Sequence, residues 1–211
     1  MVTKTKDRKS FVRHMASVLP KDSICAEVGV HNGGFSSLIL EYINPKKIYL
    51  IDPWEGGHDK NGEQELYGKG MRDRRTAYST ERDLNAVKRR FSKEISKGQV
   101  VIKRGFSYEV INDFQDNYFD FVYIDACHLY GCVKSDLEMF RPKLIQRGSF
   151  MCGHDYADAN VASWYVKNNF GVAQAVDEFV SENNLEWEAR KGTGQESQDF
   201  ALRYHAERSD M

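Results

Sequence analysis

Short apolar runs alternate with amphipathic stretches along most of the chain. Strand-like runs, rich in β-branched and aromatic residues, are 24–30, 48–51, 100–102, 119–124, 149–152, 186–189 and 200–204. Segments with helical spacing of apolar residues are 11–19, 35–43, a helix beginning at Thr80, 108–114, 131–140 and 172–180. Unpatterned apolar strands that alternate with helices favour a mostly parallel sheet with helices on both faces. The pattern predicts an α/β fold with a seven-stranded sheet and a C-terminal antiparallel edge strand.

Two segments depart from this alternation within what we interpret as a single domain, residues 1–211. Residues 1–20 are an N-terminal extension with one short helix that ends at Pro20. Residues 54–79 are polar, rich in glycine and charge, and weakly periodic. A structureless stretch of this length is commonly a functional lid or a disordered insert. We interpret it as a lid or substrate loop, in which Trp54 and Tyr67 would cover an acceptor.

Composition and charge narrow the classes of partner. The formal net charge is −1 and Lys and Arg are scattered, so we expect neither nucleic acid nor a membrane surface as a partner. No apolar run approaches the roughly 20 residues that cross a bilayer, and the first ten residues lack the apolar core of a secretory signal. The four cysteines, Cys25, Cys127, Cys132 and Cys152, lack zinc-site spacing. We expect a cytoplasmic protein with reduced thiols.

The first candidate site is a glycine-rich turn between the first strand-like run and the next helix. It reads Glu-Val-Gly-Val-His-Asn-Gly-Gly from Glu27 to Gly34, with Gly29 and Gly33 four residues apart. Open α/β sheets bind ligands at the carboxyl ends of their strands, and glycines let the backbone approach a ligand closely. Because the spacing is not G-x-G-x-x-G, the turn suits a ligand without a pyrophosphate. Alternatively, the glycines only make a tight turn.

Two acidic residues add to this site. Asp52 ends the second strand-like run, 23 residues after Gly29, where an acidic residue can accept both ribose hydroxyls. Glu27 beside the turn would repel a pyrophosphate and favour a cationic ligand. S-adenosylmethionine carries an ammonium and a sulfonium group, so these charges agree with it.

The second candidate site joins the ends of two neighbouring strands. Asp125 and His128 follow one strand-like run, and His154 and Asp155 follow the next. Asp125, His154 and Asp155 could converge on one divalent cation, which lowers the pKa of a bound hydroxyl, and a neutral His128 could take the proton near pH 7. In the alternative interpretation, Asp125 caps the following helix and the other residues are ordinary polar loop residues.

At these residues the chain resembles the class I S-adenosylmethionine-dependent methyltransferases, which have a Rossmann-like fold. The similar segments are Glu27–Val30 with Gly33 and Gly34, Ile51 and Asp52, Tyr123 to Leu137, Gly171 to Phe179, and Phe200 to Arg203. The branch that the chain is most similar to includes the macrolide sugar O-methyltransferases. The resemblance runs from about Ile24 to Arg203, without the insert.

The resemblance implies roles for particular residues. The S-adenosylmethionine site would comprise Glu27, Gly29, Gly33, Gly34, Asp52 and Asp125, with Ser107 near the adenine. It also implies His128 as general base, assisted by Asp125, and a magnesium site at Asp125 and the fifth-strand tip. Here that tip carries His154 and Asp155, whereas metal-dependent members usually carry two acidic or amide residues. Imidazole suits softer metals than magnesium, so manganese, iron or no metal at all are alternatives.

Three functions compete. The leading one is methyl transfer to a hydroxyl of a small-molecule acceptor, such as a sugar. A nicotinamide-dependent oxidoreductase is disfavoured by the absence of G-x-G-x-x-G, and a non-catalytic binding module is disfavoured by the intact Asp125, His128 and Asp155. The sequence names neither the acceptor nor the oligomeric state, and the N-terminal helix could cover the cofactor or form a homo-oligomer contact.

Overall fold

An eight-stranded sheet organises the computed structural model, which describes residues 2–55, 77–145, 148–157, 170–183, 185–191 and 198–204. The strands are β1 (Thr3–Thr5), β2 (Ile24–Val28), β3 (Lys47–Asp52), β4 (Val100–Arg104), β5 (Phe121–Ile124), β6 (Phe150–Gly153), β7 (Glu186–Lys191) and β8 (Phe200–Arg203). Their order across the sheet is β1-β7-β8-β6-β5-β2-β3-β4.

All neighbouring strands are parallel except around β8, which is antiparallel to both β6 and β7. The predicted parallel sheet and antiparallel C-terminal strand are therefore present. The prediction of seven strands was wrong, because Thr3–Thr5 adds parallel to β7 and forms the edge beyond it. This polar three-residue strand has no hydrophobic signal, and it is recognised only by its backbone pairing with β7.

Helices lie between most of the strands. They are α1 (Arg8–Val18), α2 (Gly34–Leu38), α3 (Ala77–Arg90), α4 (Ser92–Ser96), α5 (Ser107–Val110), α6 (Tyr130–Phe140) and α7 (Val172–Asn183). A π-helical turn, Ile39–Ile43, continues α2 and ends at Asn44, whose left-handed conformation (φ 48°) stops it one residue before Pro45. Short 3-10 turns, Ile111–Asp113 and Arg141–Lys143, follow α5 and α6.

Two hydrophobic cores lie on opposite faces of the sheet. Within β5, Phe121 and Tyr123 pack into one core, and Val122 and Ile124 pack into the other. This alternation follows from the two-residue period of a strand. Residues of α1 to α3 fill the first core, and residues of α5 to α7 fill the second. The predicted arrangement of helices on both faces is therefore correct.

The predicted lid falls mostly on residues 56–76, which lie outside the described residues. Trp54, at its start, is described and belongs to the first core with a relative exposure of 1%. Its indole Nε1 donates a hydrogen bond to the carbonyl oxygen of His31 at 2.8 Å. Trp54 is therefore packed within the domain, and the interpretation of the segment as a lid over an acceptor stays a prediction. Among the described helices, none has the length and apolar character needed to cross a membrane.

Candidate functional site

The glycine-rich turn after β2 touches the loop after β5. Gly29 has φ +89°, and a Cβ added there would lie 2.1 Å from the carbonyl oxygen of Asp125. Backbone hydrogen bonds fix this approach, because Gly29 N donates to Ile51 O and Asp125 N donates to Val28 O, both at 2.8 Å. The structure therefore brings the ends of three neighbouring parallel strands, β3, β2 and β5, together on one rim of the sheet.

The other two glycines of the turn have different roles. Gly33 precedes α2 in the left-handed conformation (φ +77°), and a Cβ there would lie 2.8 Å from the ring of Phe91. Gly34 is the first residue of α2, and among the described residues a Cβ there would meet only Asn32 Oδ1, at 3.4 Å. The turn thus requires glycine at 29 and 33, whereas position 34 has room for a small side chain.

Asp52 holds the turn in place. Its Oδ2 accepts hydrogen bonds from the backbone N–H groups of Val30 and His31, both at 2.9 Å, and its Oδ1 accepts one from Trp54 N at 2.7 Å. The side chain is buried. Since a carboxylate has about four acceptor positions, Asp52 retains some capacity beyond these three bonds.

Glu27 is a buried acid whose carboxylate accepts a hydrogen bond from Ser36 Oγ at 2.5 Å. Burial raises the pKa of Glu27 to about 8. The side chain is therefore mostly protonated at pH 7. In its protonated form Glu27 carries no charge with which to repel a pyrophosphate or attract a cation.

Ser107 is buried and donates a hydrogen bond to Asp136 Oδ1 on α6 at 2.5 Å. Burial also raises the pKa of Asp136 to about 7. The hydroxyl of Ser107, predicted to lie near an adenine, is thus engaged in joining α5 to α6.

Four residues at the ends of β5 and β6 form what we call the acid–histidine cluster: Asp125, His128, His154 and Asp155. His128 Nε2 lies 2.6 Å from Asp155 Oδ2 and 3.6 Å from Asp125 Oδ1. His154 Nδ1 lies 3.3 Å from Asp155 Oδ1 and 4.0 Å from Asp125 Oδ1. The structure thus brings together all four residues singled out in the sequence, next to the glycine-rich turn.

The charges of the cluster are strongly coupled. Burial alone would lower the pKa of His128, but hydrogen bonds to Asp125 and Asp155 outweigh it and raise that pKa to about 9. Although burial opposes the charged form of Asp155, contacts with His128 and His154 hold its pKa far below the usual range. His128 is therefore an imidazolium at pH 7 in this arrangement. The predicted neutral His128 requires a further positive charge nearby, which would favour loss of its proton.

The cluster has the donor set of a transition-metal site. One ligand atom from each of Asp125, His154 and Asp155 lies within 4.8 Å of the others, a spacing that ligands of a single ion held at about 2.0–2.2 Å can reach with small adjustments. Two carboxylates and one imidazole suit manganese or iron better than magnesium, which prefers oxygen ligands. The three residues thus fit a divalent ion of this kind.

Residues far away in the sequence complete the site. Arg8 Nη2 lies 2.5 Å from Asp125 Oδ2, and Arg8 Nε lies 3.6 Å from Asp199 Oδ1. The hydroxyl of Tyr123 donates to the same oxygen of Asp199 at 2.5 Å. Sequence reasoning missed Arg8 and Asp199, because 117 residues separate Arg8 from Asp125 and neither residue lies in a motif. Only the position of Asp199 immediately before an apolar strand could have drawn attention to it.

A small cleft adjoins the cluster. Its lining combines polar side chains of the cluster with apolar side chains from α6, α7 and β8, including Asp125, His128, His154, Val133, Val172 and Phe200. The ring of Phe170 stacks on the imidazole of His128, with centroids 4.5 Å apart and planes inclined by 7°. The cleft, which has room for about one water molecule, therefore sets the imidazole of His128 and the carboxylate of Asp125 against apolar side chains.

The chain matches one protein-family model and is similar to several solved structures. A family model described as a methyltransferase domain matches residues 26–156, more than half of the chain. A protein of Corynebacterium glutamicum is 13% identical, with a TM-score of 0.64 over 98% of this chain and 84% of that chain. A SAM-dependent methyltransferase of Aquifex aeolicus is 10% identical, with a TM-score of 0.59 over 92% and 88% of the two chains.

A Staphylococcus aureus protein assigned as a caffeoyl-CoA O-methyltransferase is 13% identical, with a TM-score of 0.60 over 95% of this chain and 86% of that chain. No curated protein sequence matches the chain closely enough to count as a relative. At these identities the solved structures show the fold alone. The predicted Rossmann-like methyltransferase fold is thereby confirmed.

Proposed function

The chain belongs to the methyltransferase-domain family, and we propose that it transfers the methyl group of S-adenosylmethionine to a hydroxyl of a small molecule. The observation that carries this proposal is the contact between Gly29 and Asp125. It puts the turn that would hold the donor directly beside a cluster that can accept a proton. Methyl transfer to oxygen needs both, because the hydroxyl must lose its proton before or during attack.

The donor would lie over the glycine-rich turn. Gly29 and Gly33 leave the backbone uncovered by side chains, and the remaining acceptor positions of Asp52 would bind the ribose hydroxyls. Glu27, protonated and buried, would support α2 through Ser36. Ser107 would act on the adenine pocket through its bond to Asp136, by fixing where α5 begins.

His128 would be the proton acceptor. In the structure its imidazolium is stabilised by Asp125 and Asp155, and the positive charge of the donor, arriving at the adjoining turn, lowers the pKa of His128 toward neutrality. Stacking on Phe170 and the contact with Asp155 fix the ring plane. Asp125, His154 and Asp155 would hold a divalent cation, which supplies Lewis-acid activation of a hydroxyl when bound.

The acceptor is proposed to be a small hydroxylated molecule. The chain has a formal net charge of −1, and its basic stretch from Lys69 to Arg75 is interrupted by Asp73. The cleft beside His128 mixes polar and apolar lining. The macrolide sugars that the sequence resemblance implies are the acceptors to test first.

Calorimetry and thermal shift with the demethylated product S-adenosylhomocysteine, and with NAD as the matched control, test the donor assignment. We expect micromolar binding of S-adenosylhomocysteine and none of NAD. Transfer of a tritiated methyl group to a panel of hydroxylated sugars then tests the acceptor class. Binding of NAD alone would favour an oxidoreductase, and donor binding without transfer to any hydroxyl would contradict O-methylation.

A further inference from the structure

The segment from Thr3 to Ser10 positions Arg8 beside the acid–histidine cluster. β1 pairs with β7, and Asp7 then caps α1 by accepting a hydrogen bond from Ser10 N at 2.7 Å. Ser10 Oγ reciprocates by accepting from the backbone N–H of Asp7 at 3.0 Å. Such a capping box fixes the first turn of a helix. Arg8 is the first residue of that helix. Its backbone is therefore positioned by the pairing of β1 before it and by the capping box formed by Asp7 and Ser10.

The guanidinium of Arg8 is directed into the cluster. It contacts Asp125 Oδ2 at 2.5 Å and lies 4.9 Å from the ring centroid of Phe35 and 5.9 Å from that of Tyr123. Two aromatic faces and a carboxylate together make a favourable environment for an arginine. Its side chain is one-third exposed, so the guanidinium lies at the border between the cluster and solvent.

Arg8 and a divalent cation would share one carboxylate. Asp125 is the member of the candidate metal set that Arg8 contacts within 4 Å, and it is also required to bring three ligand atoms together. We propose that Arg8 is the resident cation of this site and competes with the divalent metal for Asp125. Metal binding would release the guanidinium from Asp125, leaving Asp199 as its nearest acidic partner.

Geometry favours exchange over joint occupancy. Arg8 Nη2 already lies at Asp125 Oδ2, and Asp199 Oδ1, 3.6 Å from Arg8 Nε, offers the guanidinium a second carboxylate. A divalent cation bound at Asp125 would lie close to the guanidinium, and like charges at close range repel more strongly in a partly buried site than in water. Withdrawal of Arg8 from Asp125 relieves that repulsion.

The inference rests on the metal site of the proposed function, and its test measures metal affinity rather than activity. Mn²⁺ is titrated into the full chain and into Arg8→Met, which keeps an apolar stem without the charge, Arg8→Lys, which keeps the charge, and Arg13→Met as the control. Arg13 is exposed on the same helix and lies 4.8 Å from the Tyr42 ring centroid, away from the cluster. Free Mn²⁺ is followed by electron paramagnetic resonance.

We expect Arg8→Met to bind Mn²⁺ about tenfold more tightly than the unmodified chain, within the usual range for two ligands coupled through one site. Arg8→Lys should stay within about threefold of the unmodified chain, and Arg13→Met should match it. Equal or weaker binding by Arg8→Met, or no Mn²⁺ binding by any of these proteins, would overturn the proposal.

A second measurement needs no variant. Saturating Mn²⁺ should speed amide hydrogen exchange in the first turn of α1 of the unmodified chain and leave α4 unchanged, whereas unaltered exchange in α1 would contradict release of Arg8. S-adenosylhomocysteine is titrated into the same preparations. Donor binding without an effect of Arg8 on Mn²⁺ would reject only this inference, and failure of donor binding would reject the proposed function itself.

Discussion

The Cα of Gly29 lies so close to the carbonyl of Asp125 that a single methyl group between them would stand 2.1 Å from the oxygen. Neighbouring parallel strands carry these two residues, and backbone hydrogen bonds tie the turn to the strand tips on either side. The glycine-rich turn and the acid–histidine cluster are therefore parts of one rigid rim.

Gly29→Ala should disrupt both halves of the rim. The added Cβ meets backbone and the left-handed φ is strained for alanine, so we expect the free energy of unfolding to fall by roughly 2–5 kcal/mol and S-adenosylhomocysteine binding to be lost. Gly98→Ala is the control, because Gly98 has φ +72° and no atom of the described part of the chain lies within 4 Å of a Cβ there. Urea denaturation and calorimetry check both variants, and equal donor affinity for the two would contradict the role given to Gly29.

Asp52→Asn should weaken donor binding by about tenfold or more. An amide has only one acceptor oxygen, so at least one of the N–H groups of Val30, His31 and Trp54 loses its partner, at about 1–3 kcal/mol. Asp120→Asn provides the matched control, because Asp120 accepts from Ile24 N at the opposite end of β2. We expect that variant to lose stability and keep its donor affinity; equal losses of affinity would show a general effect on the sheet.

His128→Ala should lower methyl transfer by roughly a hundredfold at saturating donor, because a positioned general base contributes about that much, while donor affinity is retained. His14→Ala is the control, since His14 pairs with Glu188 at 2.9 Å outside the cluster. Single-turnover kinetics and calorimetry separate the two effects. Unchanged transfer by His128→Ala would rule out this residue as the base.

Asp136→Asn should change how stability depends on pH. Burial raises the pKa of Asp136 from 3.8 to about 7, so between about pH 4 and pH 7 the folded chain keeps a proton that the unfolded chain has lost. The free energy of unfolding therefore falls as pH rises through this window, and is constant above it as far as this group is concerned.

Asparagine is a neutral analogue of the protonated acid and removes that fall. We expect Asp136→Asn to match the unmodified chain near pH 4 and to exceed it by roughly 2–4 kcal/mol at pH 8. Urea denaturation at both values measures this. Asp113→Asn, at an exposed carboxylate paired with Lys103, should show no such difference; a constant offset for Asp136→Asn across the pH range would contradict the assignment.

The pattern of hydrophobic residues was sufficient to predict seven of the strands, because buried strands consist of consecutive apolar residues, as β5 does. It was insufficient for β1, where pairing with β7 comes from backbone hydrogen bonds of a polar segment. The helix after the glycine-rich turn ends at Ile43 as predicted, since Asn44 and Pro45 are local stop signals.

Some residues of the candidate site could also be predicted from the sequence, and others could not. Asp125, His128, His154 and Asp155 could be placed together from sequence, because parallel strands end on a common rim and all four residues lie within four positions of a strand end. Arg8 and Asp199 could not, since their proximity depends on how α1 and β8 dock. The ionisation states of Glu27 and His128 also could not be predicted from the sequence, because they depend on burial and on neighbouring charges.

The pairing of β1 with β7 bears on how the protein is made. Thr3–Thr5 are translated 186 residues before their partners, Ala189 to Lys191. At about 5–20 residues per second, the first strand waits on the order of tens of seconds before it can join the sheet. Until then the strand that leads into α1 has no partner, and α1 is held by its contacts with the first hydrophobic core.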